Sequence, residues 1–252
     1  MTALLEVDSV SVRFGGLVAV SEVDLAVPAG QVTGLIGPNG AGKTTLFNVI
    51  TGLQAPTHGR VRLEGTDITK WSAARRAREG IARTFQRLEV FGSLSVRDNV
   101  LTAAELRSGP GLRRGFDREA PSALAVANEL LDRVGATAYA DAAADAVPTG
   151  VARLVEVARA LAIQPKVLLL DEPSSGLSPT ETETFGRLLR DLAAGGTGVL
   201  LVEHDVDLVM HVCDRIHVLD FGRLIGAGTP SEIRADPIVQ AAYLGGASDL
   251  AS

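Results

Sequence analysis

Nine consecutive residues, Gly37-Pro38-Asn39-Gly40-Ala41-Gly42-Lys43-Thr44-Thr45, carry the most specific chemistry in the chain. They match the pattern G-x-x-x-x-G-K-[ST]. Glycines at these spacings let successive backbone amides point into one concavity without Cβ clashes, which suits phosphate oxygens. A helix starting at the end of such a loop adds its positive end. The pattern implies that Lys43 reaches the β- and γ-phosphates of a nucleoside triphosphate and that the Thr44 hydroxyl binds Mg²⁺. Downstream, Val167-Leu168-Leu169-Leu170-Asp171-Glu172 is an apolar run ending in two carboxylates. A strand end beside a phosphate loop can place Asp171 on the magnesium, directly or through water. Glu172 is then suited to accept a proton from an attacking water.

These residues need a scaffold, and the flanking sequence describes one. Gln31 to Ile36 reads as a strand before the loop, and a helix is expected from about Lys43 to Gly52. Near the start, Leu5, Val7, Val10 and Val12, then Val23, Leu25 and Val27, alternate with polar residues as in a half-buried antiparallel sheet. Gly59 to Leu63 is a further strand, closed by a turn at Glu64-Gly65. Ser72 to Gly80 reads as a short basic helix. Ser95 can cap a second helix, with Asp98 bonding back to the cap amide. Residues 107–121 look loop-like, and Ser122 can cap a helix to about Val134. From Gly150 helix and strand alternate: helix to Ala162, strand Lys166 to Leu170, helix Glu181 to Ala193, strand Gly198 to Glu203, helix Val206 to Val212, strand Arg215 to Leu219. Near-continuous apolar strands of this kind belong to a parallel sheet covered on both faces. Phe221-Gly222-Arg223 looks like a hairpin turn, and Pro230 and Pro237 open two short helical segments.

Bulk properties narrow the class. The 252 residues suit one large domain; 46% hydrophobic and 21% charged residues suit a globular protein. A net charge of −6 argues against nucleic acid as a partner. The only lysines are Lys43, Lys70 and Lys166, so one of three sits in the phosphate loop. Cys213 is the single cysteine, which excludes an internal disulfide and fits a reducing compartment. The N-terminal Met-Thr-Ala-Leu-Leu-Glu-Val-Asp does not read as a signal peptide. No apolar run approaches the roughly 18 to 20 residues of a membrane helix, so work at a membrane would need a partner that spans it.

Taken in order, Phe14, Gly37 to Thr45, Gln86, Gly150 to Arg153, Leu170-Asp171-Glu172, Ser175-Gly176-Leu177 and His204 resemble the ATPase subunits of ATP-binding-cassette transporters, over essentially the whole chain. The resemblance implies an α/β fold: a P-loop NTPase core with a mostly parallel sheet, an N-terminal antiparallel β subdomain and an inserted helical subdomain. It implies one domain, with core and β subdomain at 1–94 and 147–229, the helical subdomain at 95–146 and a helical tail at 230–252. It also implies roles: Phe14 stacks on adenine, Gln86 senses the γ-phosphate and the metal, and His204 contacts the γ-phosphate. ATP and Mg²⁺ would be the ligands.

Phe14-Gly15-Gly16-Leu17-Val18-Ala19-Val20, Gly80-Ile81-Ala82-Arg83-Thr84-Phe85-Gln86, Pro230-Ser231-Glu232-Ile233-Arg234 and Tyr243-Leu244-Gly245 are similar to the ATPases of high-affinity branched-chain amino-acid importers. Relatives of those carry amides or urea. The implied partners are a second ATPase subunit of different sequence, transmembrane permeases and, indirectly, a solute-binding protein. The implied location is peripheral, on the cytoplasmic face of the cell membrane. A soluble regulatory or repair ATPase of the same superfamily, and a small-molecule kinase using the phosphate loop, are the alternatives.

Two places depart from the family pattern. Where the signature Leu-Ser-Gly-Gly-Gln belongs, this chain has Val147-Pro148-Thr149-Gly150-Val151. Pro148 replaces the serine and has neither hydroxyl nor amide hydrogen. In the family this segment completes the ATP site of the facing subunit, so a heterodimer with one stronger and one weaker site is expected. Ser178 stands where the family often has aspartate. Arg75, Arg76 and Arg78 are expected on a solvated helix face, with an acidic permease loop as the alternative contact. Phe85, Phe91 and Leu94 are candidates for a permease socket or for core. Trp71 and Cys213 are expected to be structural.

Overall fold

A computed structural model describes residues 3–108 and 121–244. Most of the loop-like segment read from the sequence, residues 109–120, and Gly245 of the tail motif lie outside the described residues. In chain order the elements are β1 (Ala3–Phe14), β2 (Leu17–Pro28), β3 (Val32–Ile36), α1 (Lys43–Thr51), β4 (His58–Leu63), β5 (Thr66–Asp67), α2 (Ala73–Arg78), β6 (Ile81–Arg83), α3 (Val96–Ser108), α4 (Ala123–Arg133), α5 (Thr149–Ala162), β7 (Val167–Asp171), α6 (Pro179–Ala194), β8 (Gly198–Val202), α7 (Val206–Val212), β9 (Arg215–Asp220), β10 (Arg223–Gly228), α8 (Pro230–Ala235) and α9 (Pro237–Val239).

Two sheets form, with strand orders β2-β1-β4-β5 and β10-β9-β3-β8-β7-β6. The first is antiparallel. The second is parallel apart from the β9–β10 hairpin at its edge. The alternation at the N-terminus slips by one residue between Val7 and Val10 because the ladder has a register shift there, with Ser9 at φ 47°.

Alternate residues of the parallel strands face opposite ways, as the pleat requires. Leu168 and Leu170 of β7 pack with α5, α6 and α7 in one core. Val167 and Leu169 join the other core, with β1, β2 and the Leu46, Phe47 and Ile50 side chains of α1. Helices α3 and α4 contribute Val96, Val100, Leu130 and Leu131 to the same core as Leu168 and Leu170, so they share apolar packing with the sheet.

Four local findings differ from the sequence reading. Residues Ile81–Arg83 form the edge strand of the second sheet, paired in parallel to β7, which so short a segment after a helix does not announce. At the start of α3 the Ser95 hydroxyl accepts from the Asp98 amide at 3.0 Å, but the Asp98 carboxylate takes the Ser95 hydroxyl at 2.7 Å instead of the cap amide. Ser178 caps α6 in a reciprocal pair with Glu181, so that helix begins at Pro179 and not at Glu181. Arg76 is not on a solvated face but only 1% exposed, whereas Arg75 and Arg78 are exposed. Its guanidinium donates to the carbonyls of Val49 and Ile50 at the end of α1, and to those of Thr69 and Trp71. Burial pulls its pKa below the usual arginine value. Cys213 is buried, and that burial pushes its thiol up to about 12.

Candidate functional site

The glycine loop joins β3 to α1. Gly37 lies at φ 149°, and a Cβ there would sit 2.0 Å from the Leu219 carbonyl oxygen of β9, so only glycine lets the loop leave the sheet at this point. Gly42 is the cap residue of α1, at φ 107° and with no side-chain cap bond, which leaves the first amides of α1 to other acceptors. Lys43 is buried, and its Nζ donates to the carbonyls of Gly37 at 2.6 Å and Pro38 at 3.0 Å. Burial lowers its pKa, against the pull of Glu172 and Asp171.

A cavity of about 550 Å³ gathers the separated motifs. Asn39, Gly40, Ala41, Gly42, Lys43, Thr44 and Thr45 line it together with Gln86, Asp171 and Glu172. Phe14 stands at its rim with Leu17, Val18 and Phe221. Phe14 is 49% and Phe221 88% exposed, which offers two aromatic faces to a flat apolar ring. In the sequence Phe221 reads only as part of a turn. Its signal was an aromatic residue in a hairpin tip, left exposed among the described residues. The amide of Gly222 bonds to the Ala41 carbonyl at 2.9 Å and fixes that tip to the loop.

Glu172 follows the last residue of β7 and holds φ 51°, a left-handed conformation uncommon for a glutamate. Its amide still bonds to the Val202 carbonyl of β8 at 2.9 Å. Its Oε1 receives the Gln86 side-chain amide at 3.2 Å and lies 3.0 Å from His204 Nε2. Thus Gln86, Glu172 and His204, distant in sequence, meet at one oxygen. Asp171 is buried, which raises its pKa, while Arg83 at 3.0 Å works in the opposite direction.

Three buried groups that the motifs did not assign hold these pieces. Glu203 accepts from the amides of Ser174 at 2.8 Å and His204 at 3.2 Å, joining the segments after Glu172 and β8; burial raises its pKa. Arg153 of α5 donates to the Phe85 carbonyl at 2.6 Å and to the Gln86 carbonyl. Glu156 pairs with Arg153 at 3.1 Å and accepts from the Glu89 amide at 2.6 Å. The signal for each is a charged residue inside an apolar segment, but its partner is visible only in the fold.

Pro148, Thr149, Gly150 and Val151 do not line this cavity. Pro148 and Thr149 are exposed at the start of α5, while Gly150 and Val151 are buried. A Cβ on Gly150 would come within 2.6 Å of the Gly176 carbonyl oxygen, so the one signature glycine retained here is required by packing within the chain.

A second, apolar cavity of about 320 Å³ lies between α2, β6 and α5, lined in part by Ala77, Phe85, Arg159 and Ile163. Phe85 is among its walls, Phe91 lies outside them with the Arg159 guanidinium 4.5 Å from its ring centroid, and Leu94 is half-buried.

A parallel sheet, a phosphate loop opening a helix, and carboxylates at the adjoining strand end define a nucleotide-binding P-loop cassette. Residues 20–175 match the family described as ABC transporter, and residues 223–249 match that described as branched-chain amino acid ATP-binding cassette transporter. The chain is 40% identical to the high-affinity branched-chain amino acid transport ATP-binding protein BraF of Pseudomonas aeruginosa, over 96% of this chain and 98% of that one. It is 35% identical to the lipopolysaccharide export system ATP-binding protein LptB of Escherichia coli, again over 96% and 98%. A solved nucleotide-free ATP-binding cassette from an ABC transporter is similar with a TM-score of 0.84 at 30% identity, over 96% of this chain and 98% of that one. The ADP conformation of the cassette MJ1267 is similar with a TM-score of 0.82 at 31% identity, over 97% and 100%. The chain belongs to the ABC transporter family, as its ATP-binding cassette.

Proposed function

We propose that this chain is the ATP-hydrolysing subunit of an importer for branched-chain amino acids or related amides. The observation that carries the reading is the convergence of the phosphate loop, Gln86, Asp171 and Glu172 on one cavity, with His204 on Glu172. Lys43 and the first amides of α1 bind the phosphates, Phe14 takes the adenine, and Glu172 accepts the proton of the attacking water. Gln86 and His204 hold the Glu172 carboxylate and read the γ-phosphate. Thr44, Gln86 and Asp171 are oxygen donors on that cavity and suit a hard divalent cation. A Mg²⁺ ion held by Thr44, Gln86 and Asp171 would supply neutralisation of phosphate charge.

Cargo class rests on the likeness to BraF and LivG proteins and on the match over residues 223–249. No helix among the described residues is long and apolar enough to cross a membrane. The reading therefore takes the chain as peripheral to the cytoplasmic face, docked on permease subunits through the apolar cavity walled by Phe85. A solute-binding protein acts on it indirectly, through the permeases. The division into a core with β subdomain, a helical subdomain at 95–146 and a C-terminal tail from 230 is part of the same proposal.

The second ATPase subunit is taken to be a different chain. Pro148, Thr149, Gly150 and Val151 lie away from the chain's own nucleotide cavity and so would close the partner's. Loss of a donor to developing phosphate charge costs about 3 to 4 kcal/mol of transition-state stabilisation in comparable sites. The stronger ATP site is then the one built on Lys43.

The test is reconstitution with the permeases encoded beside this gene. Leucine-loaded binding protein should stimulate ATP hydrolysis, and Glu172→Gln should abolish most of it, while the same change in the partner ATPase costs much less. Failure to co-purify with any permease would favour a soluble ATPase, and equal losses from both glutamates would remove the asymmetry.

A further inference from the structure

The Gly80 to Gln86 motif contains Arg83 but gives it no role, yet its guanidinium bonds to Asp171 on the wall of the nucleotide cavity. Arg83 ends β6 opposite Leu169, two residues before Asp171 at the end of β7. Its side chain is only 6% exposed. The guanidinium donates to Asp171 Oδ2 at 3.0 Å, to the Asn48 side-chain oxygen at 2.6 Å and to the Thr84 carbonyl at 3.2 Å. Its carbon lies 5.3 Å from the Phe47 ring centroid and 4.9 Å from that of Phe85. The neighbouring Thr84 hydroxyl accepts from the Asp171 amide at 3.2 Å, so both the backbone and the carboxylate of Asp171 are tied to β6.

A buried ion pair of this kind is poor evidence for stability, because desolvating two charges offsets much of their attraction. What it does supply is geometry. Arginine presents a rigid planar fork, and here the prongs engage two elements at once: the strand end of β7 and helix α1, which begins at Lys43. Asn48 and Asp171 are held at a fixed spacing by one guanidinium between two aromatic rings. Groups that orient a metal-binding carboxylate in this way commonly change metal affinity when removed.

We propose that Arg83 is a positioning residue for the cation site: it pins Oδ2 of Asp171 to helix α1, so that the remaining carboxylate oxygen is presented to the cation at the phosphate loop. The inference rests on the reading of Asp171 as a magnesium ligand. It assigns Arg83 no contact with nucleotide.

The test uses the full chain and a fluorescent ATP analogue, titrated in EDTA and then across Mg²⁺ concentration. Asp171→Asn should remove the Mg²⁺-dependent gain in nucleotide affinity. Arg83→Met should raise the Mg²⁺ concentration for half-maximal gain by about tenfold, with affinity in EDTA within about twofold of the parent. Arg83→Lys, which keeps the charge but not the fork, and Asn48→Ala, which keeps Arg83 but frees one prong, should each give an intermediate shift. An unchanged Mg²⁺ midpoint in Arg83→Lys and Asn48→Ala would overturn the proposal even if Arg83→Met does not fold. Equal losses in EDTA and in Mg²⁺ would make Arg83 merely structural. A full Mg²⁺ response in Asp171→Asn would instead overturn the reading of Asp171 itself.

Discussion

Oε1 of Glu172 lies 3.0 Å from Nε2 of His204, and the same oxygen receives the Gln86 amide. Two loops from different strand ends therefore hold one oxygen of a glutamate whose backbone is itself in the left-handed region. Such a conformation costs on the order of 1 kcal/mol or more and persists only where its surroundings impose it. In the proposed reading Glu172 is the base, and Glu172→Gln keeps its shape but cannot accept the proton. Hydrolysis is expected to fall by about 10²-fold or more, with ATP binding retained, as single-turnover kinetics and equilibrium binding would show. His204→Ala should lower turnover less, since it removes a holder and not the base.

Arg76 governs stability at a distance from the chemistry. It supplies the carbonyls at the end of α1 with charged donors in a buried setting. Arg76→Met would leave those acceptors without their partner, a loss of about 3 kcal/mol or more. For a chain of this size that corresponds to a fall in melting temperature of roughly 6–12 °C. Arg76→Lys should recover only part of it, because an ammonium cannot span four carbonyls from one plane. Calorimetry of the three proteins checks this, and wild-type stability in Arg76→Met would contradict it.

The altered signature divides into a packing residue and exposed residues. Gly150→Ala drives a Cβ to 2.6 Å from the Gly176 oxygen and 3.0 Å from a Leu177 methyl. It should cost about 1–3 kcal/mol, seen in urea unfolding. Pro148→Ser lies on the surface and should leave stability within about 0.5 kcal/mol. In the assembled complex it should raise turnover at the partner's site.

His217 predicts an acid limb. It is 6% exposed on β9, and neither ring nitrogen has a hydrogen-bond partner among the described residues. It lines a groove with Glu6, Asp8, Asp24, Arg62 and Arg215. Burial first, and the Arg215 charge second, lower its pKa from 6.5 to about 4. The unfolded chain therefore binds a proton that the folded chain refuses, between about pH 6.5 and pH 4. The stability this contributes is complete above the upper value and is lost as pH falls towards the lower. Between pH 7.5 and pH 5 the loss should be about 2 kcal/mol. His217→Phe should flatten that limb. Asp171 and Glu203, whose pKa values burial raises, act with the opposite sign, so the comparison with His217→Phe isolates the histidine.

Part of this protein was legible because it is local. The phosphate loop works through backbone conformation at consecutive glycines, and helix α1 follows immediately. Apolar runs such as Val167–Leu170 announce buried strands by their own composition, and Ser122 announces a cap. Other features were invisible for an equally physical reason. Arg75, Arg76 and Arg78 have the same side chain within four residues. Which one is buried depends on where the end of α1 and the Trp71 carbonyl lie in space. Strand β6 exists because β7 offers it an edge, not because Ile81–Arg83 has a strong strand pattern.

The sequence by itself determined the chemical groups: a glycine loop of the phosphate-binding pattern, an aspartate and a glutamate at a strand end, and a signature that departs from its family. Only the tertiary structure decided how those groups are held. Arg83 on Asp171, Arg153 on the Gln86 loop and Glu203 between Ser174 and His204 are contacts between elements far apart in the chain. Burying an arginine or a glutamate is favourable only where a particular partner waits, and the place of that partner is a property of the packed fold.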